Sequence, residues 1–212
     1  MDSHLLRFDK EKTFVFIDFE TENLCLNIRH NIPWQMAMLK AKGDEKFDER
    51  DILIEWDRKL NVSPEAAKIT RFNQDKYNKL KKPHDKVFKL MENWLEEADY
   101  IVGHNVLGFD IYLILEYYKK MGKDGSHLTD KVIDTYALAK AYKLGSEKPS
   151  EASLIEFQYQ LMSIRKRGLG GSLSAMGKEF EIEHDYSRLH DALVDLELNL
   201  KVWNKLKWVL NV

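Results

Sequence analysis

The sequence predicts an α/β fold, a mixed sheet of about five strands flanked by helices, and two changes of pattern carry that prediction. Between residues 13 and 56, runs rich in β-branched and aromatic residues are joined by a connection too short to cross over, which forces antiparallel pairing. From Pro83 onward the apolar period becomes helical, and short strands alternate with helices, which argues for parallel strands on the same sheet. The 212 residues form one domain, 1–212, long enough to bury a proper core. No internal repeat, low-complexity tract or long Pro/Gly linker divides it.

The elements follow in order. Residues 13–17 (TFVFI) suit a buried central strand. Stretches 35–42 and 47–56 read as further strands about a turn at Gly43 and Asp44. Val87, Phe88, Met91, Trp94, Leu95 and Ala98 recur at helical spacing, with Pro83 where a first turn tolerates it. Residues 100–102 give a short strand, followed by a Gly103-His104-Asn105 turn and a helix over about 109–121. Residues 131–133 read as a strand and 136–142 as a short helix. A further helix lies within 150–171, striped by Leu154, Phe157, Leu161 and Ile164. In the last helix Leu193, Leu196, Leu200, Trp203 and Leu206 share one face.

Composition narrows the class more than the function. The 44% apolar and 32% charged fractions are those of an ordinary globular protein. No apolar run approaches membrane-spanning length and no secretory signal opens the chain, so no membrane partner is expected. Cys25, the single cysteine, excludes an internal disulfide and points to a reducing, cytoplasmic setting. The net charge of −2, from 33 basic and 35 acidic side chains, lacks the basic excess usual in nucleic-acid binders. It does not exclude one, because acids gathered around cations offset positive charge elsewhere.

The chemistry lies in the acids that end or open regular elements. Asp18 and Glu20 directly follow the first apolar strand, two residues apart, so both project from one face. Carboxylates held that close repel unless a cation lies between them, and hard oxygen ligands suit magnesium or manganese. Asp110 opens a helix after the loop GHNVLGF. Strand carboxyl ends are where ligands collect in open α/β sheets, and Asp18, Glu20 and Asp110 would converge there. His190 and Asp195 are five residues apart, roughly 140° on a helix of 3.6 residues per turn. With Asp191 as N-cap the helix starts at Ala192, and His190 in the preceding loop is free to reach the cleft of Asp195.

Other polar residues have plainer readings. Asp134 caps the helix that follows it. Arg165, Lys166 and Arg167, followed by Gly168, read as the cationic last turn of a helix. Lys79, Lys81 and Lys82 read as solvated.

Three motifs together resemble the DEDDh (DnaQ-like) 3′–5′ exonucleases of the ribonuclease-H-like superfamily. They are Asp18-Phe19-Glu20-Thr21, His104-Asn105 leading to Phe109-Asp110, and His190-x-Ala192-x-x-Asp195. Weaker echoes are PWQMAM at 33–38, VSPEAAKIT at 62–70, VIDT at 132–135 and GSLSAM at 171–176, so the likeness covers essentially the whole chain. It implies a ribonuclease-H-like exonuclease fold in which Asp18, Glu20, Asp110 and Asp195 hold two divalent ions, Mg2+ or Mn2+, about 4 Å apart. It further implies that His190 takes the proton from the attacking water, since histidine titrates at about 6.5, and that nucleoside 5′-monophosphates are released. Thr21, Leu24 and Asn105 would lie against the substrate.

The implied substrate is a nucleic acid 3′ end, with DNA, single-stranded or at its 3′ ends, favoured over RNA and a role in DNA repair or replication. An RNA-trimming enzyme like oligoribonuclease or ribonuclease T, and a proofreading subunit bound to a DNA polymerase, are the alternatives. The chain ends directly after its last helix, which favours a free-standing enzyme; no motif reports a homodimer. Two features depart from the family. Arg71-Phe72 stands where a His-Gly pair is common, which changes contacts to the substrate. The helix within about 150–168 reads as an insertion, suited to a lid, a duplex-binding addition or a partner surface.

Overall fold

The computed structural model of the protein describes residues 5–26, 31–166, 169 and 171–212. Strand β1 (Thr13–Thr21) runs through the middle of a six-stranded mixed sheet. On one side it pairs antiparallel with β2 (Pro33–Lys42), which pairs antiparallel with β3 (Glu45–Glu55). The β2–β3 turn uses Gly43 at φ +58°, where an added Cβ would also meet the Lys10 carbonyl oxygen at 3.0 Å, so glycine is required twice over. On its other side β1 pairs parallel with β5 (Tyr100–Gly103), and β5 with β6 (Val132–Asp134). The sixth strand, β4 (Lys82–Pro83), is a two-residue pairing beside the end of β3 that no periodicity announces.

Both faces of β1 are buried, which explains its unbroken apolar run. Val15, Ile17 and Phe19 face α3 (His84–Glu97) and α4 (Asp110–Lys120). Phe14 and Phe16 face α5 (Thr135–Leu144), α6 (Leu154–Ser163), α7 (Leu173–Glu179) and α8 (Ala192–Val209). Alternation then places Asp18 and Glu20 on the α8 side. In α8 the expected stripe holds at Leu196, Leu200, Trp203 and Leu206, while Leu193 is only partly buried. No described helix is long and apolar enough to cross a membrane.

Three short helices escape a periodicity reading because six or seven residues do not complete a pattern. They are α1 (Pro64–Ile69), α2 (Gln74–Leu80) and α7, and the signal available for each was its cap, Ser63, Asn73 and Ser172, whose side chains accept backbone N–H groups. The basic run after α6 also differs from expectation. The helix stops at Ser163 with Ile164 as C-cap, so Arg165 and Lys166 lie beyond its last turn. The α6 carbonyls of Leu161, Met162 and Ile164 are instead taken by the buried Lys140 ammonium at 3.2–3.4 Å. Arg167 and Gly168 fall outside the described residues.

Helix α6 is a fixed part of the core. A capping box, Ser153 with Glu156, starts it, and Phe157 and Leu161 enter the α8-side core. Its Gln158 is fully buried and covers the edge strand β6: Oε1 accepts the Asp134 N–H at 2.5 Å, and Nε2 donates to the Val132 carbonyl at 3.0 Å. The side chain stands in for a seventh strand. Gln158→Leu keeps the volume but strands a buried N–H and a buried C=O. It is expected to cost about 3 kcal/mol and lower Tm by about 10 °C. A calorimetric Tm unchanged within about 2 °C would remove Gln158 from that role.

Candidate active site

Strand β1 outruns β5. Pairing with β5 covers only Phe14, Val15 and Phe16, so the carboxyl end of β1 has an open edge on that side. Asp110 fills it: Oδ1 accepts the Phe19 N–H at 3.1 Å, between Asp18 and Glu20. Asp110 is thus the first residue of α4 rather than its N-cap, which is Phe109.

The loop that delivers Asp110 is pinned from below by Asp134. This fully buried carboxylate accepts the N–H groups of Asn105 and Leu107 at 3.0 and 2.9 Å, as well as those of Tyr136 and Ala137 in its expected capping role. Capping was legible in the sequence; the two loop bonds require β5 and β6 to be neighbours. Asn105 sits at φ +70°, a conformation asparagine tolerates. Gly108 leaves room for the Asn105 side chain, since an added Cβ would fall 2.4 Å from Asn105 Oδ1 and push that amide aside. His104 is structural. Its Nδ1 lies 3.0 Å from Thr135 Oγ1, and burial, opposed by the Gly171 carbonyl, pushes the imidazole down to about 4, so it is neutral at pH 7.

Helix α8 starts at Ala192, as the capping reading expected, with Asp191 in the N-cap position. The Asp191 side chain makes no cap bond, however, and pairs with Arg188 at 2.9 Å. His190 lies in the preceding loop at φ +71° with its side chain exposed, and its backbone N–H donates to Asp195 Oδ2 at 3.1 Å. The other Asp195 oxygen is buried without a partner.

The electrostatics couple these acids to one another. Burial first, and then the Asp195 charge, raise Asp18 to about 7. Burial, Asp18 and Asp195 raise Glu20 to about 8. Asp110 is raised well above its ordinary value by burial and then Asp18, and Asp195 is raised by burial. Four carboxylates from three elements therefore feel one another's charge. Among the described residues neither the Asp18 nor the Glu20 carboxylate accepts a hydrogen bond or meets a cation. Glu22, two residues on, is the contrast: it is buried too, but Arg58 pairs with it at 2.5 Å and the Asn61 N–H donates to it.

A donor set of hard oxygens, an orphaned Asp195 oxygen and uncompensated negative charge fit divalent cations. The fit is one of chemistry and charge alone, since among the described residues no three His, Cys, Asp or Glu side chains stand grouped closely enough to hold a metal ion. Of the residues expected to meet substrate, Leu24 is half exposed just past β1, whereas Thr21 is buried and donates its hydroxyl to the Asn23 carbonyl. Asn105 is partly buried on the Asp110 loop.

A three-layer fold with an acidic cluster at the carboxyl end of its central strand defines a ribonuclease-H-like nuclease. The exonuclease family model of RNase T type matches residues 15–203, and the chain belongs to that family, the DEDDh 3′–5′ exonucleases. Comparison with the sequences of curated proteins finds no match. Among solved structures, E. coli exonuclease I in complex with a dT13 oligonucleotide is similar at 17% identity and a TM-score of 0.69, over 93% of this chain and 41% of that one. The zinc-bound form of the E. coli exonuclease I–ssDNA complex gives 18% and 0.72, over 94% and 41%. The dA16 complex gives 16% and 0.70, over 94% and 43%. At such identities the likeness shows the fold alone, and the chain spans about two-fifths of the length of those proteins.

Proposed function

We propose that this chain hydrolyses the terminal phosphodiester at the 3′ end of a nucleic acid, favouring single-stranded DNA or DNA 3′ ends, and releases nucleoside 5′-monophosphates. The observation that carries the proposal is the mutual electrostatic coupling of Asp18, Glu20, Asp110 and Asp195, with no cation paired to Asp18 or Glu20 among the described residues. Two ions, Mg2+ or Mn2+, held by these four carboxylates would supply an activated water and neutralise charge on the leaving 3′ oxygen. The chain supplies the rest. Asp110, bonded to the Phe19 N–H, fixes the cluster to β1. Asp134 holds Asn105 in place beside the incoming strand. Leu24 offers exposed apolar surface to the terminal base. His190 takes a proton from the attacking water, its loop tethered to Asp195 through the backbone.

The test is a gel of 5′-labelled single-stranded DNA and matched RNA with Mg2+, Mn2+ or EDTA. A ladder shrinking by single nucleotides from the 3′ end, abolished by EDTA, is expected, with DNA degraded faster. A higher RNA rate would reassign the enzyme to RNA trimming, and degradation of neither would reject the activity. His190→Ala is expected to slow turnover by about 10²- to 10⁴-fold, with Mn2+ affinity by titration nearly unchanged. An unaltered pH–rate profile in that variant would remove His190 from the base role.

A further inference from the structure

Helix α1 ends in a left-handed turn: Thr70 is the C-cap, Arg71 follows at φ +54°, and the Phe72 N–H donates to the Ala67 carbonyl at 3.1 Å, the 6→1 bond of a helix C-terminus. The position after the C-cap is where glycine is favoured, so it is Arg71, not Phe72, that occupies the glycine-like site. Phe72 locks the turn by packing edge-on against Trp34, ring centroids 4.8 Å apart. The arginine side chain is thereby held, against its backbone preference, at the rim of a cavity of about 160 Å³.

That cavity adjoins the acidic cluster. His190 lines it, and so does Gln35, which pairs with Glu20 across β1 and β2. Arg71 lies near enough to Asp195 to lower its pKa but makes no ion pair or hydrogen bond with it. Lys76 of α2 contributes a second ammonium, likewise without an acceptor among the described residues. Trp34 lines the cavity too, on a side chain only 4% exposed whose indole N–H is buried with no partner. The two acids on the wall are already engaged, Asp191 by Arg188 and Asp51 by the Gln35 amide at 2.7 Å.

We propose that Arg71 and Lys76, with Trp34 packed beside them, form a seat for a backbone phosphate of the bound strand next to His190. The proposal rests on the exonuclease reading above. A guanidinium and an ammonium with no acceptor of their own suit a phosphodiester, and their place beside His190 sets which phosphate they reach.

Steady-state hydrolysis of a dT12 oligonucleotide, in Mg2+ from 50 to 200 mM NaCl, tests it. Arg71→Gln and Lys76→Gln are each expected to raise KM about tenfold, leave kcat within about threefold, and flatten the salt slope by about 0.7. Arg71→Gly should share that KM and, by relieving the left-handed strain, melt about 3 °C higher than wild type. Unchanged KM and salt slope in both glutamine variants, with wild type active, would overturn the seat and spare the exonuclease reading. Weakened inhibition by dTMP with unchanged KM for dT12 would also overturn it, since the cavity would then hold the released nucleotide. A lower Tm for Arg71→Gly would make the side chain structural and overturn it as well. A wild-type protein inert on both dT12 and U12 would instead reject the exonuclease reading.

Discussion

Asp18→Asn is expected to lose about 10⁴-fold or more of 3′-end hydrolysis while melting at a higher temperature than wild type in EDTA at pH 8. Both effects have one cause. The Asp18 carboxylate is largely buried, accepts no hydrogen bond among the described residues, and feels the charge of Asp195. Without a bound cation that charge only repels, so a neutral amide of the same shape removes a penalty. With a cation the same charge is the ligand, and sites of this kind fail as a unit rather than additively. Asp110→Asn should lose activity in parallel, having lost its charge, and keep its fold, because an amide oxygen still accepts the Phe19 N–H and preserves the strand contact. Oligonucleotide hydrolysis and calorimetry on the same samples check the pair. Near-wild-type hydrolysis by either variant would refute the ligand assignment.

Stability in EDTA is expected to fall as pH rises from about 4 to 8, and divalent metal to reverse the trend. A carboxylate whose folded pKa exceeds its unfolded value binds its proton more tightly when folded. Its contribution is complete below the unfolded pKa and is lost as pH rises through the folded one. For Asp18 that window runs from 3.8 to about 7, and for Glu20 from 4.5 to about 8. The loss is on the order of 3 kcal/mol, less than two independent shifts would give, because the groups titrate together and each keeps an edge in contact with water. Mn2+ at a hundredfold over its Kd at pH 8 restores about 2.7 kcal/mol, or about 5–11 °C in Tm for a chain of this size. Near pH 5 the same addition should do little, since the ligands must first lose their protons. Melting curves at pH 5 and 8, with EDTA or Mn2+, decide it. An equal metal effect at both pH values would exclude these carboxylates as the binding groups.

The acids were legible because each sits at a position whose geometry is local. A strand repeats every two residues, so Asp18 and Glu20 had to share a face whatever the rest of the fold. The capping logic at Asp191 likewise fixed the start of α8 and left His190 outside it. It did not foresee that Asp191 would turn to Arg188, because an ion pair across a loop has no period to read. The same limit hid Gln158. In a helical stripe it is one polar residue among many, and only the docking of α6 on the edge of β6 gives it two backbone partners.

By itself the sequence determined the fold class and the positions of the five residues proposed for the chemistry, since these depend on strand period and helix caps, and its three motifs carried the resemblance to the family. Only the tertiary structure decided that β1 outruns β5 and leaves an N–H for Asp110, that Asp134 holds the Asn105 loop, and that Arg71 is the glycine-like residue beside His190. Each of those depends on where one element ends relative to another far away in the chain, which sequence spacing does not encode and packing does.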